Sequence, residues 1–200
     1  MTENTSTLTD VNPLDIVKGA DETDGEFVRV EYTAHPSLDV SDAETVLPHA
    51  RWAADIQDEH VNPQIKETFK VLSGELKVVA GEQEQLLTEG DEITISGRYP
   101  HRHWNPSEKP ARIRYEARPA LHMDEALETA FVLAQAGKAD GHGNPDLLPI
   151  AVFQDAYPDH FYSTDLLIFV QKILFKILAP IGRLAGYRAT YSREDIADLR

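Results

Sequence analysis

Two imidazoles and one carboxylate carry the chemistry that this chain can offer. His60 and Glu67 lie in the block Glu59-His-Val-Asn-Pro-Gln-Ile-Lys-Glu-Thr-Phe-Lys-Val-Leu-Ser-Gly74. His101 lies in the block Gly90-Asp-Glu-Ile-Thr-Ile-Ser-Gly-Arg-Tyr-Pro-His-Arg-His-Trp-Asn105. Brought together, such a set holds a divalent metal and leaves coordination positions open for chemistry. A lone histidine is more often a solvated or hydrogen-bonded side chain. The pairing of the two blocks is what shifts the weight toward a site.

The blocks need strands to position them. If residues 68–72 form a strand, Glu67, Phe69 and Val71 share one face. A carboxylate on that apolar face is costly unless a cation or a donor meets it. His60 sits at an odd offset from Glu67 and would point the other way in an unbroken strand. The Asn62-Pro63 pair breaks the run, so the two side chains can converge across the turn. His101 and His103, two residues apart, point to the same side of their own strand.

The rest of the chain supplies more strands of this kind. Residues 1 to about 25 read as a polar arm with one apolar patch, Leu14 to Val17, able to add an edge strand. Alternation begins at Phe27, Val28, Val30 and Tyr32. Short runs follow at 45–47, 52–56, 68–72, 76–80, 84–87, 93–96 and 112–118, separated by Gly- and Pro-containing turns. Closely spaced short strands with such punctuation predict a sandwich or barrel. In the strand at 112–118, Ile113, Tyr115 and Ala117 are expected inside. Arg112, Arg114 and Arg118 then form an outer row that suits an anionic ligand, a solvated face or a subunit contact.

After Pro119 the period becomes helical. Met123, Ala126, Leu127, Ala130, Phe131 and Ala134 fall on one face. A second helix is expected over 147–157, and a third from Thr164-Asp165 through Leu178, ending before Pro180 and Gly182. The expected organisation is therefore an arm (1–25), a β-barrel (26–120) and a helical extension (121–200).

The two blocks resemble the paired motifs of the cupin superfamily, over roughly residues 27 to 120. The first motif has the sense of His-x-His, three or four residues, Glu, six residues, Gly. The second has Gly, a short strand, then Pro and His, three residues, and Asn. His60, Glu67, Gly74, Gly90, Pro100, His101 and Asn105 stand at matching places. The resemblance implies a mainly β fold, a double-stranded β-helix or jelly-roll barrel, here followed by C-terminal α-helices. It implies a pocket for a divalent transition metal (Fe, Mn, Zn or Ni) held by His60, Glu67 and His101.

The family usually has its second histidine where this chain has Asn62. An amide oxygen is a poorer ligand than imidazole for such metals. Three readings stand: His60, Glu67 and His101 suffice; His103 swings in as the fourth ligand in place of Asn62; or the pocket is metal-free and binds an organic ligand directly. Tyr99, His103, Trp104 and Tyr115 are the candidates to contact a substrate, with packing the plainer role for Trp104 and Tyr115. No catalytic residue is assigned. The fold hosts dioxygenases, isomerases, epimerases, decarboxylases, storage proteins and sensors, so it does not choose among them. A metal-dependent oxygenase or isomerase and a non-catalytic ligand-binding module both remain open.

Composition narrows the field. With 34 acidic and 19 basic residues the net charge is −15, which argues against general nucleic-acid binding. The same charge suits either a halophilic protein in a high-salt cytoplasm or an ordinary acidic one. The absence of cysteine excludes disulfides, thiolate catalysis and Cys-ligated zinc. The first residues lack a basic stretch followed by an apolar run, so a cytoplasmic location is expected.

One segment departs from the acidic background. Residues 166–193 contain no acid but include Lys172, Lys176, Arg183, Arg188 and Arg193. Packing on the barrel or on a twin subunit is the favoured reading of its apolar stripe, with an anionic membrane surface as the rival. A homodimer is the expected assembly and a small molecule the expected ligand.

Overall fold

The computed structural model describes residues 14–36, 55–139 and 144–199. Alternating apolar and polar residues build nine strands in succession. These are β1 (Leu14–Lys18), β2 (Val28–Ala34), β3 (Asp55–Val61), β4 (Lys66–Ser73), β5 (Glu75–Ala80), β6 (Gln83–Thr88), β7 (Glu92–Ile95), β8 (His101–Trp104) and β9 (Ala111–Arg118). They are followed by α1 (Met123–Gln135), α2 (Leu147–Ala156), a two-residue strand β10 (Tyr162–Ser163), α3 (Ile168–Leu184) and α4 (Ile196–Leu199).

Two five-stranded antiparallel sheets result, in the orders β1-β2-β9-β4-β7 and β10-β3-β8-β5-β6. This is the double-stranded β-helix expected, with helices behind it. Apolar side chains such as Val30, Phe69, Val71, Leu76 and Ile113 fill the interior. Helix α1 adds Phe131, Val132 and Leu133 to the same core. The expected strand at 45–47 and the beginning of the one at 52–56 lie outside the described residues.

Gly74 makes the β4–β5 turn. Its φ is +80°, and a Cβ there would lie 2.8 Å from the Cα of Ala111, so only glycine fits without strain. The outer arginines of β9 are engaged in ion pairs within the chain. Arg112 meets Asp15 at 2.6 Å, Arg114 meets Glu31 at 2.7 Å and Arg118 meets Glu116 at 2.6 Å. Ion pairs within this sheet, two of them between strands and one along β9, thus account for the arginine row.

Two features of the extension differ from expectation. Strand β10 pairs with β3, placing Tyr162 opposite Val61 and Ser163 opposite His60. A two-residue strand has no period to read. Helix α3 begins later than expected and runs through Pro180 and Gly182. Pro180 withholds one N–H, but it lies on the exposed side, where the freed carbonyl can turn to water. Ala179 and Gly182 are buried against α2; a Cβ on Gly182 would come within 2.6 Å of Val152. That close approach explains why the glycine belongs inside the helix.

Candidate functional site

The two sheets contribute different chemistry to the barrel interior. His60 on β3 and His101 on β8 are direct cross-strand partners, and their ring centres are 4.3 Å apart. His103, two residues along β8, faces the same way. All three come from one sheet. The opposite sheet supplies Glu67 from β4, Tyr115 from β9 and Tyr32 from β2, and each is at least nine-tenths buried.

Glu67 is held at both oxygens. The Tyr115 hydroxyl donates to Oε1 at 2.7 Å, and His101 Nε2 lies 2.9 Å from Oε2. The second contact is short but off the line of the ring N–H, because Nε2 has no aligned hydrogen-bond partner. The two groups face each other, and the contact is ionic only when His101 is doubly protonated. His60 Nδ1–H donates to the Asp58 carbonyl at 3.1 Å and His101 Nδ1–H to the Tyr99 carbonyl at 3.0 Å. A carbonyl can only accept, so both rings carry their proton on Nδ1 and turn Nε2 inward.

Burial and neighbouring charge set the protonation preferences. Burial and the charge of His101 lower the His60 pKa, against the pull of Glu67. Burial also opposes the imidazolium of His101, but Glu67 and the Tyr99 carbonyl outweigh it and raise that pKa. His103 is pushed well below the usual imidazole range by burial and then by His60 and His101. Burial and the Glu67 charge raise the pKa values of Tyr32 and Tyr115. Burial thus disfavours charge on His60, His103, Tyr32 and Tyr115, while the neighbouring Glu67 favours it on His101.

Several sequence candidates meet here and others do not. His60, Glu67, His101, His103 and Tyr115 share the interior. Asn62 is buried too, but its Nδ2 donates to the His160 carbonyl at 3.0 Å, tying the β3 end to the C-terminal extension. That bond engages Nδ2 alone; the amide oxygen, the atom that would bind a metal, is buried without a hydrogen-bond partner. Tyr99 is half-exposed and lies against Gly81. Trp104 alternates with the inward histidines, so it faces outward, below Lys77 and Arg102. Strand alternation therefore removes Trp104 from the interior, and the turn before β8 leaves Tyr99 at the surface.

Phe69 and Tyr32 escaped the sequence-based site. Phe69 packs on the His103 ring at 4.6 Å and the Tyr115 ring at 5.2 Å. Tyr32 continues the inward series of Val28 and Val30, and an aromatic hydroxyl ending such a series is the signal that would have found it. Asn105 is structural: its amide bonds the carbonyls of Ala34 and Lys109, and its oxygen accepts from Ser107.

The donor types and two spacings suit a divalent metal. Two imidazoles bound at adjacent positions through Nε2 at about 2.1 Å place their ring centres roughly 4–5 Å apart. Adjacent nitrogen and oxygen ligands lie roughly 3 Å apart by the same geometry. The pairs His60–His101 and His101–Glu67 match these values. Yet among the described residues no group of three or more His, Asp or Glu side chains forms a ready metal cage. Glu67 spends one oxygen on Tyr115 and turns the other to His101, while His60 meets His101 ring to ring.

Residues 52–123 match the Cupin_2 family model, described as a cupin domain. That match spans about a third of the chain, from before β3 to the start of α1, and the helical extension lies beyond it. No curated protein is significantly similar to the whole sequence. Among solved structures, an uncharacterized conserved protein with a double-stranded β-helix domain from Klebsiella pneumoniae is 20% identical. That match covers 54% of this chain and 76% of the other, with a TM-score of 0.40. The Cupin_2 domain of an XRE-family transcriptional regulator from Enterobacter cloacae is 17% identical over 52% and 93%, with a TM-score of 0.38. A cupin-2 domain-containing protein from Shewanella frigidimarina is 11% identical over 52% and 78%, with a TM-score of 0.36.

Proposed function

We propose that the barrel interior is a small-molecule site headed by a divalent transition metal on His60, Glu67 and His101. One observation carries the reading. Both histidines spend Nδ1 on main-chain carbonyls two residues earlier, which fixes their tautomers and leaves Nε2 as the free nitrogen, that of His101 facing Glu67. Outer hydrogen bonds of this kind orient metal-binding histidines. When bound, the metal supplies Lewis acidity or a centre for oxygen chemistry.

The surrounding residues define what such a site can do. Tyr115 restrains one Glu67 oxygen and leaves the other facing the histidines. His103 has a buried Nδ1 without a hydrogen-bond partner, and it is the side chain suited to meet a polar ligand group. Phe69 supports that ring from the wall. Catalysis, as an oxygenase or isomerase, requires this head group to be loaded.

A second reading has its own support. Glu67 already accepts a hydrogen bond from Tyr115 and faces His101, as a metal-free polar pocket would have it. The barrel is then a ligand-binding module without chemistry. Elemental analysis of the tag-free protein, alongside His60→Ala and His101→Ala, separates the two. About one transition metal per chain, lost in both variants, is expected. No metal after reconstitution with Fe, Mn, Zn and Ni would leave the non-catalytic module.

A further inference from the structure

We propose that the outer face of α3 is the surface on which a second copy of this chain docks. The helix is apolar on both sides. Its inner face places Phe175, Ala179 and Gly182 against the body of the protein. On its outer face Phe169, Ile173, Ile177 and Ile181 follow one another at four-residue steps, each at least half exposed, and Leu184 ends the ridge at 90% exposed. Leu166 and Leu167 extend the patch just before the helix. A surface helix normally turns polar residues outward, and an apolar patch of this size marks an interaction site.

The area matches a protein partner. The exposed apolar residues from Leu166 to Leu184 leave on the order of 900 Å² uncovered, about what each partner contributes to a standard stable interface. Side chains in four-residue rows form a ridge that fits the groove of another such helix. A twofold axis would set the patch against its own copy, so that one surface serves both partners.

Charge chooses between a second copy and an anionic bilayer. Of the basic residues near the ridge, all but the exposed Lys176 are neutralised within the chain. Lys172 meets Asp159 at 2.7 Å and Arg183 meets Asp155 at 2.8 Å. Farther on, Arg188 meets Asp195 at 2.6 Å. An anionic lipid surface needs free cations, and it would repel a protein of net charge −15. No described helix is long and apolar enough to cross a membrane.

Sedimentation velocity of the full chain tests the proposal. The wild type should sediment at twice the 22.4 kDa chain mass. An Ile173→Glu/Ile177→Glu variant should sediment as single chains with an unchanged circular dichroism spectrum. Leu86→Glu, at an exposed site on β6, should stay dimeric. Because the chain lacks cysteine, Ile177→Cys gives an independent readout that leaves the ridge apolar: mild oxidation should cross-link it in pairs, and Leu86→Cys should not cross-link. A monomeric wild type overturns the proposal, whether it binds phosphatidylglycerol vesicles or covers the ridge with another part of its own chain. A double variant that stays folded and dimeric overturns it as well.

Discussion

Substitutions at Asn62 separate a structural tether from a metal ligand because the two roles predict opposite orderings. The side chain is 4% exposed, and Nδ2 donates to the His160 carbonyl at 3.0 Å. Asn62→Ala removes that bond and strands a buried carbonyl, a loss of about 1–3 kcal/mol. The cost should fall toward the lower end, since the amide oxygen that leaves with it has no hydrogen-bond partner of its own. Asn62→Asp sets a carboxylate oxygen against the carbonyl instead, burying a charge without a donor, at roughly 3–5 kcal/mol. For a chain of this length each kcal/mol moves the melting temperature by about 2–4 °C. Alanine should therefore lower it by a few degrees and aspartate by about ten. Thermal and urea unfolding at pH 8 read the stabilities, and elemental analysis reads the metal. A ligand at this position would reverse the order, because a carboxylate binds a divalent metal better than an amide. An aspartate variant as stable as the wild type, or one that retains more metal, would refute the tether.

The helical extension offers two further tests. Gly182→Ala should destabilise the protein by about 1–3 kcal/mol, the usual cost of overpacking, because the new Cβ would lie 2.6 Å from Val152 and 3.0 Å from the Leu148 carbonyl; an unchanged urea midpoint would contradict the close α2–α3 contact. His160 should make stability fall with acid. Its Nδ1–H donates to the Tyr157 carbonyl and its Nε2 accepts from the His122 N–H, so the neutral ring is satisfied on both sides. Burial, reinforced by His122, lowers its pKa from 6.5. Between the folded and unfolded pKa values the unfolded chain binds more protons, so this contribution is complete above about pH 6.5 and is lost as pH falls through the folded value. Unfolding free energies measured from pH 8 to pH 5 should slope less steeply in His160→Gln, and parallel slopes would rule this out.

The parts of the protein legible in the sequence were those with a period. Inward alternation marked Glu67, Phe69 and Val71 on β4 and Ile113, Tyr115 and Ala117 on β9, and two-residue spacing put His101 and His103 on one side. The match to paired motifs then singled out His60 and His101. What the sequence could not carry was contact across long separations. Nothing local to Asn62 reveals that its amide meets residue 160, and nothing in the β9 pattern says that its arginines meet Asp15 and Glu31. Pro180 misled for a related reason: a helix stop is a local rule, whereas the close packing of Ala179 and Gly182 on α2 is tertiary.

The boundary expected near residue 120 divides strand-forming sequence from helix-forming sequence, but the bonds that shape the site cross it. Ser163 stands opposite His60 in the sheet. The Thr164 N–H and hydroxyl both donate to the Glu59 carbonyl, and Asn62 donates to that of His160. Three positions within four residues of β3 and its exit, Glu59, His60 and Asn62, are thus fixed by the extension. His60 lies among them, and its ring must keep its place against His101 for any ligand to use both. Without β10, β3 would become the edge of its sheet, with main-chain groups open to water or to another strand. The extension therefore contributes to the geometry of the candidate site without supplying a side chain to it. The position of His60 is accordingly a property of the barrel and extension together.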